Sequence, residues 1–329
     1  MQYSMELKPY NEFWMNCILN SAFTIAIHKD PSYRYAAYMN NYHYKVWGAA
    51  IDPLFKSPTI NVLNYEKKWR KFVLKQVIKK ETSYKFRDKE KFLTELHELI
   101  DKKQLFRINV DLFYWLPNNV AWNKFHMSHY SIIQGYDPET KMYQVLDDDT
   151  NGYGTHLIPE ERLITAFNNS DAMVYPSYKR PHVYIYHLQK QVEPYRLSID
   201  EVSRNAERLV VELDSFTFDN LWDIKDMVKF NDYIDISLIG INIISSRHKG
   251  NEFLFQSLYE FNLIDEVVHK DLETSIKKIQ NGWKSIKFIF ISKTISEDKN
   301  IDLELIRTKA TQLIGDEKKM WLSFINYTR

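Results

Sequence analysis

The sequence holds one cysteine, Cys17, in 329 residues. A lone cysteine closes no internal disulfide, which suits a reducing compartment. Glycine is scarce, with eight in the chain. Neither G-x-G-x-x-G nor G-x-x-x-x-G-K-[ST] occurs, so the usual cradles for nucleotide phosphates are missing. An excess of one charge is missing too. The 44 Lys and Arg against 43 Asp and Glu leave a net +1, far from the basic surplus that general nucleic-acid binding needs. No run approaches the roughly 18 apolar residues of a membrane-spanning helix. The opening MQYSMELKPYNEF has no basic segment leading into an apolar one. These absences lead to the expectation of a soluble cytoplasmic protein, with neither membrane nor nucleic acid among its partners.

What is present is an ordinary globular balance, 44% hydrophobic and 26% charged, in a chain comfortable for two cores. Residues 17–27, CILNSAFTIAI, suit a buried helix, because the run is long and contains Ala and Ser. Asn16 is placed to cap it, which sets Cys17 at the first helical position. Residues 65–80 read as an amphipathic helix with Trp69, Phe72, Val73 and Val77 on one stripe, and 88–103 as a more polar helix. Residues 105–114, 129–134, 142–147 and 182–187 read as strands, and GYDPETK as the turn of a hairpin. Beyond about residue 190 the strands stop. Ser198 and Glu201 read as a capping box, and helices are expected around 218–232, 235–248, 251–263, 265–281 and 302–325. The stretch 283–295 suits either strand or helix and is assigned to helix. The expected fold class is α+β, with a catalytic domain over 1–190 and a helical domain over 191–329.

A cysteine beside an apolar run is most often a small core residue. To act as a nucleophile it needs a histidine, and the histidine needs a carboxylate to hold its tautomer. His129 begins the strand HYSIIQGYD, and the next strand ends in LDDD. Antiparallel pairing brings the start of one near the end of the other. Asp147, Asp148 and Asp149 compete for the carboxylate role. Asp147 fits best, closing its strand in phase with Tyr143 and Val145. A thiol at a helix N-terminus, next to an imidazolium, is held partly as thiolate.

Other readings compete at individual residues. His126 and His129, three apart, form half of a metal site, but no second cluster of His or Cys completes a tetrahedron, so no metal is expected. LDDDTNGYG lacks the spacing and distal Glu of a calcium loop and reads as a turn. The basic run 65–80 is either a solvated face or a docking patch for an acidic protein. The aromatic stretch 113–122 either lines an acyl pocket or packs a core. Asp111, Tyr114 and His126 are taken as structural or substrate-facing neighbours.

The order helix-borne Cys, strand-borne His, GYD hairpin and Asp resembles the papain-like superfamily, in particular its double-glycine peptidase branch. The run INVDLFYWLPNNVAWNKFHMSHYSIIQGYDPETKMYQVLDDD, residues 108–149, resembles the N-terminal domain of the butirosin protein H family. Asp111, Leu116, Pro117, His126, His129, Gly135, Tyr136, Asp137 and Asp147 fall on its pattern. A related papain-like amide synthetase acts in the closthioamide pathway. The resemblance covers the first domain well and the second in outline.

It implies a papain-like fold and an acyltransferase or amide synthase of thiotemplated natural-product assembly. Such an enzyme moves an acyl group from a carrier-protein thioester, through acyl-Cys17, to an amine. His129 is then the base and Asp147 its orienter, with no cofactor beyond the phosphopantetheine that arrives on the carrier. Papain-like peptidases carry Gln six residues before the Cys for the oxyanion hole. Asn11 stands there in this chain, with a shorter amide. The alternatives are a cysteine peptidase or amidase with the same triad, and a non-catalytic binding protein of this fold.

Overall fold

The structure is a computed structural model that describes residues 2–39, 42–44, 75–87, 90–218, 230–296 and 300–329. The chain divides into two compact units, Met1–Tyr33 with Lys71–Pro194, and Arg34–Arg70 with Tyr195–Arg329. The expected division was one cut near residue 190. In the structure, residues 34–39 and 42–44 also group with the second unit.

The first unit is α+β. Its seven strands among the described residues are β1 (Gln2–Tyr3), β2 (Ile78–Tyr84), β3 (Leu105–Asp111), β4 (Ser128–Asp137), β5 (Met142–Asp149), β6 (Gly152–Pro159) and β7 (Val183–Leu188). They form one antiparallel sheet in the order β2-β7-β3-β4-β5-β6, with β1 also paired to β4. β3 lies inside the sheet and is buried along nearly its whole length. LFRINVD nevertheless alternates Phe106, Ile108 and Val110 with Arg107, Asn109 and Asp111, and the buried Asn109 and Asp111 are tolerated because both are hydrogen-bonded. Two helices flank the sheet, α1 (Cys17–Lys29) against β5, and, after α2 (Tyr33–Tyr38), α3 (Phe92–Asp101) against β3 and β4. Phe92, Leu96, Leu99 and Ile100 recur at helical spacing and join Phe106, Ile108, Ile133 and Val145 in one core. The short helices α4 (Glu160–Asn168) and α5 (Asp171–Val174) complete this unit.

The hairpin of β4 and β5 stands where GYDPETK predicts it, with Asp137 opposite Met142. A second hairpin follows. Asp149 pairs with Gly152 across Thr150 and Asn151, and the N–H of Asn151 donates to Asp149 Oδ1 at 2.7 Å. Gly152 has φ +119°, a conformation that favours glycine. The segment read as a turn is therefore only a two-residue loop between strands, and β6 is a strand the sequence reading missed. Its glycines, Gly152 and Gly154, suppress the strand signal.

The second unit is helical over the described residues, with α6 (Ile199–Ser215), α7 (Phe230–Glu260), α8 (Glu266–Ile295) and α9 (Leu303–Thr328). α8 packs against both α7 and α9, and α9 also packs against α6. Leu272, Ile276, Ile279, Trp283, Ile286 and Phe290 alternate four and three apart and are all buried. This unbroken stripe explains why 265–281 and 283–295 form one helix, and it settles the ambiguous stretch as helical. A Cβ on Gly282 would collide with Leu313, so the two helices approach closely there. α7 likewise runs through Gly250, where burial outweighs glycine's cost of about 1 kcal/mol in a helix.

A further assignment needs correction within the described residues. The predicted helix over 65–80 ends before Ile78, since 78–80 belong to β2. Its residues 65–74 lie outside the described residues, as does most of 218–232. β2 is an edge strand. Lys79 and Lys80 there serve to discourage further strand pairing, and a helical period cannot anticipate the non-local pairing with β7.

Candidate active site

Cys17 opens α1. Asn16 is the N-cap, with extended backbone, and its side chain accepts a hydrogen bond from the N–H of Leu19 at 2.8 Å. The N–H of Asn20 returns to the Asn16 carbonyl. That leaves the N–H groups of Cys17 and Ile18 as the donors of the first turn without an intrahelical partner. The loop leading to them is pinned by Asn20, which is fully buried. Asn20 Oδ1 accepts from the N–H groups of Met15 (2.8 Å) and Asn16 (3.2 Å), while its Nδ2 donates to the carbonyls of Tyr10 (3.0 Å) and Phe13 (3.1 Å). Thr24 adds a fifth tie, its hydroxyl accepting from the N–H of Tyr10. One amide side chain thus sets the position from which the thiol departs.

His129 enters on β4, opposite Val110 of β3. Its Nε2 lies 2.8 Å from Asp147 Oδ1. An ionised carboxylate only accepts, so Nε2 carries the proton and Nδ1 is left for Cys17. Asp147 is 1% exposed and shares the phase of the buried Tyr143 and Val145 along β5. Both its oxygens are occupied. Oδ1 also accepts from the N–H of Asp148 at 2.9 Å, and Oδ2 accepts from Trp115 Nε1 at 2.7 Å. The Cys17 sulfur, a His129 ring nitrogen and an Asp148 carboxylate oxygen all lie within 4.8 Å of one another, and all three residues are partly exposed. The structure therefore brings together Cys17, His129 and Asp147 as the sequence predicts, and adds Asp148 on the solvent-accessible side.

The electrostatics of the group are mutually consistent. Burial pulls the His129 pKa down, but the neighbouring Asp147 and Cys17, with their hydrogen bonds, outweigh it and hold the imidazole well above its ordinary 6.5. Burial likewise raises Asp147, and the adjacent imidazolium with its hydrogen bonds brings it below the usual carboxylate value. Asp148 goes the other way. Burial and the neighbouring Asp147 charge push it up to about 6. Trp14 Nε1 donates to Asp148 Oδ2 at 3.2 Å.

The remaining predicted residues fall into different places. Asp111 is buried, and it holds backbone together. Its Oδ1 accepts from the N–H groups of Phe113 and Met127, each at 3.1 Å, and its Oδ2 from His126 Nδ1 at 2.6 Å. His126 stacks on Phe113 with its side chain 65% exposed. His126 and His129 therefore bond two different carboxylates. Tyr114 packs its ring against the core. Asn11 is exposed and lines a cavity of about 300 Å³ together with Trp14, Asp149, Asn151, Tyr153 and His156. Cys17 and His129 do not line that cavity. It adjoins the triad through Trp14, which bonds Asp148, and through His156, whose Nε2 lies 3.2 Å from the Asp147 carbonyl.

Three residues that organise the site escaped the sequence reading. Trp115 and Asn20 act through contacts distant in sequence or through backbone groups, which no spacing rule exposes. Trp14 sits three residues before Cys17, and its indole N–H on Asp148 has no motif to announce it. Among the described residues, no helix is long and apolar enough to cross a membrane. No protein-family model matches the chain, and no curated protein does.

Proposed function

We propose that the protein is a cysteine-dependent acyltransferase, forming an amide from a carrier-protein thioester and an amine through acyl-Cys17. The observation that carries this reading is the arrangement of Cys17 beside His129, with His129 held by a fully bonded Asp147. A helix bearing Cys17 and an antiparallel sheet bearing His129 and Asp147 support a papain-like description of the first unit. The likeness of residues 108–149 to the butirosin protein H family supports the amide-forming chemistry and a carrier protein as donor. The basic run suggested as the carrier's docking patch has residues 65–74 outside the described residues.

In the first step the Cys17 thiolate attacks the thioester carbonyl. The carbon–sulfur bond to the carrier breaks, and the departing thiolate takes a proton from the His129 imidazolium. The tetrahedral oxyanion sits within reach of the N–H groups of Cys17 and Ile18. In the second step an amine attacks the acyl-enzyme, its proton passes to His129, and Cys17 leaves as thiolate. Thioester exchange is close to neutral in energy and amide formation is downhill, so the chemistry needs no nucleotide.

Product analysis tests this reading. The protein is incubated with acyl-pantetheine thioesters and a panel of amines, and amide and free acid are quantified. Amide in excess of acid supports it. Free acid alone, at every amine concentration, makes the protein a hydrolase with the same triad.

A further inference from the structure

We infer that Asp148 binds the acceptor amine as its ammonium form and so selects cationic alkylamines. This rests on the proposed function and names the substrate class of that same site. The geometry carries it. An Asp148 oxygen lies within 4.8 Å of both the Cys17 sulfur and a His129 ring nitrogen, so a cation paired to it sits beside the carbonyl of an acyl group on Cys17. Among the described residues no lysine or arginine forms an ion pair with Asp148; the neutral indole of Trp14 donates to it, and the cation that faces it is the His129 imidazolium, which Asp147 already pairs. The triad does not use it, because His129 is already oriented by Asp147.

A second observation points the same way. The cavity adjoining Asp148 through Trp14 has one carboxylate, Asp149, and three amides, Asn11, Asn20 and Asn151, in its lining. Among the described residues neither Lys nor Arg lines it. This is a site for a polar body with a positive end, and two successive carboxylates repel an anionic acceptor. Asp148, pushed up to about 6, is chiefly ionised at neutral pH and supplies the charge that the ammonium needs.

Protons balance as follows. The ammonium gives one proton through Asp148 to solvent and becomes a nucleophile. The amine nitrogen forms its bond to the acyl carbon, the Cys17 sulfur bond breaks, and the second proton goes to His129. The products are the amide and the restored thiolate–imidazolium pair.

The test compares nucleophiles on one acyl-enzyme. Acyl-Cys17 is formed, and its transfer to an alkylamine and to hydroxylamine, uncharged at about pH 7.5, is measured in wild type, Asp148→Asn and Asp148→Ser. The ratio of the two rates is independent of how fast Cys17 was acylated. The inference expects the alkylamine-to-hydroxylamine ratio to fall about tenfold or more in both variants, the value of one lost charge pairing near 1.4 kcal/mol. A ratio within about twofold of wild type in either acylated variant overturns it. Loss of acylation in both folded variants also overturns it, by placing Asp148 in the first step. Failure of the wild type to acylate with any thioester is a different outcome, and it takes down the proposed function together with this inference.

Discussion

Trp115 donates its indole N–H to Asp147 Oδ2 at 2.7 Å, on the oxygen that His129 does not use. Trp115 is fully buried and Asp147 nearly so. The bond therefore satisfies a charge in a place where water cannot, and it stops the carboxylate from turning away from the imidazole. Trp115→Phe keeps most of the packing and removes the donor. We expect a stability loss of about 1–3 kcal/mol, the cost of one unsatisfied buried acceptor, and acyl transfer slowed by roughly tenfold. Thermal unfolding and single-turnover rates measure the two effects. An unchanged rate would show that Asp147 needs no second anchor.

Asn20 organises the approach to Cys17 by four hydrogen bonds to backbone. Asn20→Ala leaves two buried carbonyls and two N–H groups without this partner. The expected cost is about 2–4 kcal/mol, with slower alkylation of Cys17 by iodoacetamide because the N-terminal turn loses its fixed position. Asn20→Asp restores the acceptor but not the donor and is expected to fall between the two. Equal reactivity in all three proteins would remove Asn20 from the account.

Asp148 is held in the folded protein at a cost. Its pKa is raised from the ordinary 3.8 to about 6, so the folded state binds the proton more tightly than the unfolded chain does. Its ionisation penalty is absent below the unfolded value, grows as pH rises from there to about 6, and is complete above. Asp148→Asn is therefore expected to be more stable than wild type at about pH 8, by on the order of 1–2 kcal/mol after allowance for its partial exposure, and to match wild type near pH 3.5. Denaturant midpoints at the two pH values test this. A variant less stable than wild type at the higher pH would contradict it.

In the second unit, Glu212 ties residues 42–44 to α6. Its carboxylate accepts from the N–H of Tyr44 at 2.8 Å and from Arg208 Nη1 at 3.0 Å, with His43 Nδ1 at 2.6 Å. Burial would raise its pKa, but these partners bring it from 4.5 to about 2. The stabilisation is present above the unfolded value and is lost as pH falls from about 4.5 towards 2. Glu212→Gln is expected to cost about 1–2 kcal/mol at neutral pH and to flatten acid unfolding over that window. Parallel acid titrations of wild type and variant, followed by circular dichroism, show whether it does.

What the sequence makes legible divides along physical lines. The start of α1 is local chemistry, since a capping Asn before an apolar run needs no distant partner, and Cys17 could be placed there from spacing alone. The β4–β5 hairpin is local too, and it brings His129 to Asp147 through a short turn. β2 was missed because it is an edge strand whose partner, β7, lies about a hundred residues on, and β6, although it pairs locally with β5, because Gly152 and Gly154 weaken its strand signal. The expected breaks near Gly250 and Gly282 are absent, because burial on both sides of each glycine carries α7 and α8 through. The grouping of Cys17, His129 and Asp147 was visible, while its supports were not. Trp115 meets Asp147 only after β3 and β5 are in register around β4, and Asn20 reads as one polar residue in an apolar run until the loop folds over it. Asp148 was a competitor of Asp147 in the sequence, and only the structure separates a carboxylate behind the imidazole from one beside the thiol.

The central claim is that Cys17 carries the acyl group. Intact-mass spectrometry of the protein after incubation with acyl-pantetheine thioesters, alongside Cys17→Ala and His129→Asn, tests it most directly. The account predicts a mass gain equal to the acyl group in the wild type, none in Cys17→Ala, and a gain slowed by about a hundredfold or more in His129→Asn. A wild-type protein that stays unmodified by every thioester, and whose Cys17 is no more reactive to iodoacetamide than an ordinary thiol, would contradict it and return Cys17 to the role of a small residue packed beside a helix.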